Sequence, residues 1–94
     1  MKRLVVVDDV PLFRAGLTAA LEGAGYDVVG EAADGEAAVA VAEVEQPDMV
    51  LLDLLMPGMS GIDVLEKVTA VAPATAVVLL TGSESEEDLV AAIK

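Results

Sequence analysis

Four short apolar runs divide the chain, and a segment with helical periodicity follows each of them. The runs cover residues 4–7, 26–32, 48–53 and 76–80. Short runs that are apolar at nearly every position are typical of parallel strands buried on both faces, whereas Asp27 and Glu31 in the second run suggest a strand at the sheet edge. The pattern therefore predicts strand–helix repeated four times, an α/β fold with a parallel sheet and helices on both of its faces.

The helices are predicted from their end signals and their apolar stripes. Pro11 suits a first helical turn, and Asp34 and Ser60 suit the capping positions of the second and third helices. Ser83 with Glu86 fits a capping box before a fourth helix. The apolar residues expected to face the core are Phe13, Leu17 and Leu21 in the first helix, Ala37, Ala38, Val41 and Val44 in the second, Ile62, Leu65 and Val68 in the third, and Leu89 and Ile93 in the fourth.

Composition narrows the function classes. The chain has 94 residues, enough for one domain, and 55% of them are hydrophobic, which argues against disorder. Seventeen acidic against five basic residues give a net charge of −12, so this segment is not expected to bind nucleic acid. The absence of Cys and His excludes disulfides and the usual zinc sites. No apolar run approaches the ~18 residues of a membrane span, and a cytoplasmic protein is expected.

Acidic and hydroxyl side chains stand where three of the predicted strands end. Asp8 and Asp9 follow the first strand, Asp53 ends the third, and Thr81 follows the fourth. In open parallel sheets, functional sites lie at the carboxyl ends of the strands. An ionised carboxylate at the end of a buried strand is costly without a partner. The sequence therefore predicts an oxygen-rich cation site at this edge of the sheet.

Four motifs, spread along the whole chain, resemble those of the receiver domain of two-component response regulators. They are Val7-Asp8-Asp9, Leu52-Asp53-Leu54, Met56-Pro57-Gly58-Met59-Ser60-Gly61 and Leu80-Thr81-Gly82. The segment 9–17 further resembles the branch whose receivers precede a LuxR/NarL-type helix-turn-helix. The resemblance implies a flavodoxin-like doubly wound sheet with the strand order 2-1-3-4.

The resemblance also implies a role for each matching residue. Asp53 would accept a phosphoryl group from a sensor histidine kinase, with Mg²⁺ as cofactor. Asp9 would bind the metal directly, Asp8 mainly through water, and the Leu55 carbonyl would be a backbone ligand. The Thr81 hydroxyl would hydrogen-bond the phosphoryl group. Physical chemistry agrees with these roles, because a hard cation stabilises clustered carboxylates in their ionised forms.

The family's fifth strand, which ends in a phosphoryl-contacting Lys, and its fifth helix would fall beyond Lys94. The sequence is therefore expected to be a truncated receiver domain over residues 1–94, with phosphorylation impaired. The run 76–80 would then form an uncharged sheet edge, and such edges pair with other chains. A homo-oligomer through the fourth strand or the fourth helix is expected on this ground.

Other interpretations remain open at this stage. Taken singly, Asp8 or Asp9 could be a helix cap, Asp53 could be a loop-facing acid, and Thr81 could be a turn residue. The chain could be an interaction module that keeps the receiver fold without being phosphorylated. A haloacid-dehalogenase-type phosphatase ranks last, because that class places Asp-x-Asp after its first strand, whereas Asp8 and Asp9 are adjacent here.

Overall fold

The computed structural model describes residues 2–53 and 60–80 as a parallel sheet flanked by helices. The strand order is β2-β1-β3-β4, and every neighbouring pair is parallel, which confirms the predicted topology. The predicted fourth helix, the Leu55 carbonyl and Thr81 lie outside the described residues. In chain order the elements are β1 Arg3–Val7, α1 Pro11–Gly23, β2 Asp27–Ala32, α2 Gly35–Glu45, β3 Met49–Asp53, α3 Gly61–Val71 and β4 Ala76–Leu80.

The central strands β1 and β3 hold the core together. Their residues 4–7 and 50–52 are at most 1% exposed, as expected of strands covered on both faces. Because successive side chains alternate between faces, β1 contributes to two separate clusters. Val5 and Val7 pack on the face covered by α2 and α3, and Leu4 and Val6 pack on the face covered by α1.

Two of the three predicted capping residues, Asp34 and Ser60, cap their helices, and the third, Ser83, lies outside the described residues. An Asp34 carboxylate oxygen accepts a hydrogen bond from the Ala37 amide at 2.8 Å, at the start of α2. The Ser60 hydroxyl accepts one from the Ile62 amide at 3.2 Å, at the start of α3. These bonds satisfy amide groups that have no partner within the helix.

Three residues predicted to face the core are exposed instead, so those predictions are wrong. Val44 is 80% exposed, Ile62 is 59% exposed and Phe13 is 37% exposed. Val44 and Ile62 each stand six positions from a buried residue of their helix, Ala38 and Val68, which is about 240° around the axis. Phe13 shares the stripe of Leu17 and Leu21, but it lies in the first turn, at the amino-terminal end of α1.

The inner faces of α2 and α3 also include residues that the pattern did not single out. Ala42 and Val64 are both at most 1% exposed. Gly30 of β2 lets α2 approach closely, because a Cβ added there would lie 2.6 Å from Cγ1 of Val41. Within the described residues, no helix has the length and apolar character needed to cross a membrane.

Candidate functional site

Three carboxylates converge at the carboxyl edge of the sheet. Asp8 follows β1 directly, and Asp53 ends the neighbouring strand β3, where Leu52 is in register with Val7. Each of Asp8, Asp9 and Asp53 can offer one oxygen such that all three oxygens lie within 4.8 Å of one another. The structure therefore brings together the acidic residues that the sequence placed at strand ends.

Asp8 is the buried member of the cluster, with 3% of its surface exposed. Its Oδ1 accepts a hydrogen bond from the Val10 amide at 2.8 Å. Burial raises the pKa of the Asp8 carboxyl group above its ordinary value, the Val10 bond opposes that rise, and the neighbouring Asp53 and Asp9 add to it. The site thus holds a carboxylate whose charge is disfavoured unless a cation compensates it.

The donor set fits a hard divalent cation. Mg²⁺ is bound by oxygen ligands at about 2.1 Å, so ligand oxygens on opposite sides of the ion stand about 4.2 Å apart. All three oxygens of the cluster lie within 4.8 Å of one another, so side-chain adjustments would bring them to one ion. Asp9 is exposed and Asp53 is half-buried, so the cluster is partly accessible to solvent.

One basic side chain, that of Arg14, contacts the backbone of the cluster. The Arg14 Nη1 donates to the Asp8 carbonyl oxygen at 2.7 Å, and its Nε donates to Glu31 Oε1 at 3.2 Å. The sequence analysis included Arg14 only as a part of the segment 9–17, and it assigned the residue no role. Strand and helix periodicity cannot show which carbonyl a long side chain reaches across the fold.

Two predicted site residues are not tested by this geometry. The Leu55 carbonyl, expected as a metal ligand, and the Thr81 hydroxyl, expected as a phosphoryl contact, lie outside the described residues. Both stay predictions from the resemblance. The part of the site that the structure describes is formed by Asp8, Asp9 and Asp53.

The family described as "Response regulator receiver domain" matches residues 4–94. This chain belongs to that family. Receivers in general are phosphorylated on an aspartate by sensor histidine kinases, and this is the function of the family to which the chain belongs. The recognition and the function class predicted from the four motifs are confirmed.

Individual relatives agree with the family assignment. The nitrate/nitrite response regulator protein NarL of Escherichia coli is 39% identical over 92 residues, which are 97% of this chain and 43% of that protein. The chemotaxis protein CheY of Thermotoga maritima is 33% identical over 93 residues, covering 99% of this chain and 78% of that protein. The match to NarL supports the predicted LuxR/NarL branch. The chain spans less than half the length of the NarL relative.

A solved structure gives the same result for the fold. The signal receiver domain of the response regulator NarL from Mycobacterium tuberculosis superposes with a TM-score of 0.85 at 34% identity. The superposition covers 98% of this chain and 92% of that one. The predicted flavodoxin-like architecture is thereby confirmed.

Proposed function

We propose that Asp53 is the residue of this receiver that takes the phosphoryl group. An Asp53 carboxylate oxygen forms the bond to phosphorus, and the bond from phosphorus to the donor's imidazole nitrogen breaks. The electron pair of that bond stays on the nitrogen, and an aspartyl phosphate results. The convergence of Asp53 with Asp8 and Asp9 within 4.8 Å is the observation that carries this proposal.

Mg²⁺ is the cofactor that we infer for this step. It would be held by Asp9 and Asp53 directly, by Asp8 mainly through water and by the Leu55 carbonyl. When bound, the ion offsets negative charge on the carboxylates and on the incoming phosphoryl group. The Thr81 hydroxyl would then donate a hydrogen bond to the transferred group. The family match over residues 4–94 supports the roles of Leu55 and Thr81.

The partners follow from the same proposal. The donor is a sensor histidine kinase, and the output is control of transcription by a LuxR/NarL-type helix-turn-helix. The relative NarL of Escherichia coli supports this output, and 57% of its length lies outside the match, since the chain covers 43% of it. The net charge of −12 supports an arrangement in which this segment does not itself contact DNA and the helix-turn-helix does.

Self-association through the fourth strand or fourth helix is part of the proposal. In the described sheet β4 is a terminal strand, and its residues 77–79 are only half-buried and carry no charge. Such an edge is a template for pairing. Light scattering at micromolar concentration should give a dimer mass, and Val78→Lys should lower it. A monomer mass for both proteins would contradict this part.

Labelling with a small acyl phosphate tests the central proposal. Intact-mass measurement after treatment with acetyl phosphate and Mg²⁺ should show the addition of one phosphoryl group. Asp53→Asn should show none. Asp48→Asn changes an acid directly before β3, where the strands begin, and it should be labelled like the unmodified protein. A labelled Asp53→Asn protein would overturn the assignment. No labelling of a chain that still binds Mg²⁺ would favour a non-phosphorylated interaction module.

A further inference from the structure

The Arg14 side chain links three elements behind the acidic cluster. It belongs to α1, its Nη1 donates to the carbonyl oxygen of Asp8, which follows β1, and its Nε donates to Glu31 of β2. Only 19% of the Arg14 side chain is exposed, whereas 43% of the Glu31 side chain is exposed. The Arg14 side chain as a whole is thus mostly buried, unlike the arginine of an ordinary surface ion pair.

The carbonyl that Arg14 contacts belongs to the peptide unit between Asp8 and Asp9. A peptide unit is planar, so fixing its oxygen also fixes its N–H, which is the amide of Asp9. The preceding amide, that of Asp8, donates to the Ala32 carbonyl at 3.0 Å. The Asp8 side chain is held in turn by the Val10 amide at 2.8 Å. Arg14 therefore completes a set of bonds that orients the backbone from which both acidic side chains project.

Asp9 gains most from this arrangement. Asp8 is 3% exposed and is held by its own surroundings, whereas Asp9 is exposed. The direction in which an exposed side chain leaves the chain depends on its backbone, and here that backbone is set by the bonded peptide.

We infer that Arg14 is a positioning residue of the metal site, which holds the Asp8–Asp9 peptide so that both carboxylates face the same ion as Asp53. Glu31 orients the guanidinium in this arrangement. The inference rests on the proposed function, because it assumes that the three carboxylates hold Mg²⁺.

The sign of the effect separates positioning from simple electrostatics. Arg14 is a cation close to a cation site, so its charge alone opposes metal binding. Removal of the charge without any other change would strengthen binding. Loss of a group that orients metal ligands has the opposite effect, typically a 10–100-fold loss of affinity. Because Arg14 acts through the backbone and its charge effect opposes the loss, we expect a value near the lower end.

The chain offers a matched control in Arg3. Its guanidinium makes the same two kinds of contact, with the Glu45 carbonyl at 2.7 Å and with a Glu45 carboxylate oxygen at 3.0 Å. Arg3 lies at the start of β1, at the opposite edge of the sheet. Arg3→Gln changes the net charge by the same amount as Arg14→Gln, but it leaves the Asp8–Asp9 peptide untouched.

The test is a titration with Mn²⁺, followed by the electron paramagnetic resonance signal of the free ion. Arg14→Gln should weaken Mn²⁺ binding about tenfold, and Arg3→Gln should leave it unchanged. Arg14→Lys keeps the charge but cannot bridge both partners, so it should weaken binding nearly as much. Glu31→Gln should cause a smaller loss than Arg14→Gln, because the guanidinium keeps its bond to the Asp8 carbonyl and loses only the charge of its second partner.

A second readout needs no metal. The carbonyl carbon resonance of Asp8 should move upfield in Arg14→Gln, because its oxygen loses a charged donor, and it should stay in place in Arg3→Gln. Unchanged or tighter Mn²⁺ binding by a folded Arg14→Gln protein would overturn the positioning role while leaving the proposed function intact. If Arg14→Gln does not fold, Arg14→Lys decides in the same way, because it keeps the charge and loses the bridging contacts. Failure of the unmodified protein to bind Mn²⁺ would overturn the metal site itself.

Discussion

The two edges of the sheet place their charged residues in opposite ways. At the amino edge, where the parallel strands begin, the Arg3 guanidinium donates to the Glu45 carboxylate. The Arg3 amide donates to an Asp48 carboxylate oxygen at 2.8 Å. At this edge the Arg3 cation is thus paired with a carboxylate, and the Arg3 backbone amide has an acceptor. At the carboxyl edge, Asp8, Asp9 and Asp53 converge, so that like charges face one another. One edge pairs its charges, and the other carries the acidic cluster of the proposed cation site.

Further bonds at the amino edge tie the helices to the strands. The Gln46 side-chain amide donates to the Val71 carbonyl at 2.9 Å and so joins the end of α2 to the end of α3. The Thr75 hydroxyl donates to the Pro47 carbonyl at 2.6 Å, just before β4. Gln46 itself has a positive φ of 45°, in the left-handed region, and α2 ends there. These bonds connect the ends of α2 and α3 and the start of β4 at this edge of the sheet.

The largest expected difference between the edges concerns metal binding. Asp9→Ala removes a proposed direct ligand, so Mn²⁺ affinity should fall by about 100-fold or more. Asp48→Ala removes the same charge at the amino edge, and it should leave the affinity unchanged. Isothermal titration calorimetry of both variants would check this. Equal affinities for the two variants would remove the distinction between the edges.

The reverse difference is expected for folding. Arg3→Gln removes charged hydrogen bonds to the end of α2, and it should lower the free energy of unfolding by about 1.5 kcal/mol. The value is at the lower end of the range for charged bonds because 40% of the Arg3 side chain is exposed. Urea unfolding followed by circular dichroism is the measurement. A variant as stable as the unmodified protein would show that this contact contributes little, as many exposed ion pairs do.

The fold was predictable from the sequence to a greater extent than the support of the site. Apolar runs ending in acid identified both the sheet and the cluster, because strand ends of a parallel sheet share an edge. The pattern did not identify the contacts of Arg14 or Arg3, since long side chains reach partners 6 and 42 positions away. It also counted Val44 as a core residue, because an apolar residue near the end of α2 fits a stripe by type although its angle points it outward.

Because Asp8 is buried in the acidic cluster, the free energy of unfolding should depend on pH. The folded pKa of Asp8 is raised above 3.8, so the folded state favours its protonated form. This favourable contribution is fully present below pH 3.8 and is lost as the pH rises through the folded pKa. At neutral pH the ionised Asp8 therefore lowers stability. Asp8→Asn keeps an oxygen that can accept from the Val10 amide, and it should raise the free energy of unfolding by about 1 kcal/mol.

Urea unfolding in EDTA at several pH values would measure this gain. It should be full at pH 7 and should vanish below pH 3.8, where Asp8 is protonated in both states. Saturating Mg²⁺ should reduce or reverse it, because the ion stabilises only a folded protein that binds it. Asp27→Asn, which changes an exposed residue of β2, serves as the control for net charge. A gain that persists at the lowest pH would point to a cause other than ionisation.

The smallest expected effect concerns how α1 begins beside the acidic cluster. Within the described residues, α2 and α3 begin with capping side chains, whereas Val10 at the same position of α1 provides none. Val10 has φ −98° and ψ 107°, the extended backbone that a capping residue adopts, and it is 51% exposed. A serine there could accept a bond from the amide of Leu12 or Phe13, and little apolar burial would be lost. Val10→Ser should therefore raise the free energy of unfolding by about 0.5 kcal/mol.

The reciprocal change provides the comparison for this last effect. Ser60→Val removes the cap of α3 and should lower the free energy of unfolding by about 1 kcal/mol. If urea unfolding shows a gain in stability for Val10→Ser and a loss for Ser60→Val, then the start of α1 next to the site is less stable than a capped start would be. Mn²⁺ affinity should stay unchanged in Val10→Ser, since residue 10 donates to the Asp8 carboxylate through its backbone amide and not through its side chain. A loss of stability in Val10→Ser would mean instead that the valine side chain contributes more to the start of α1 than a cap does.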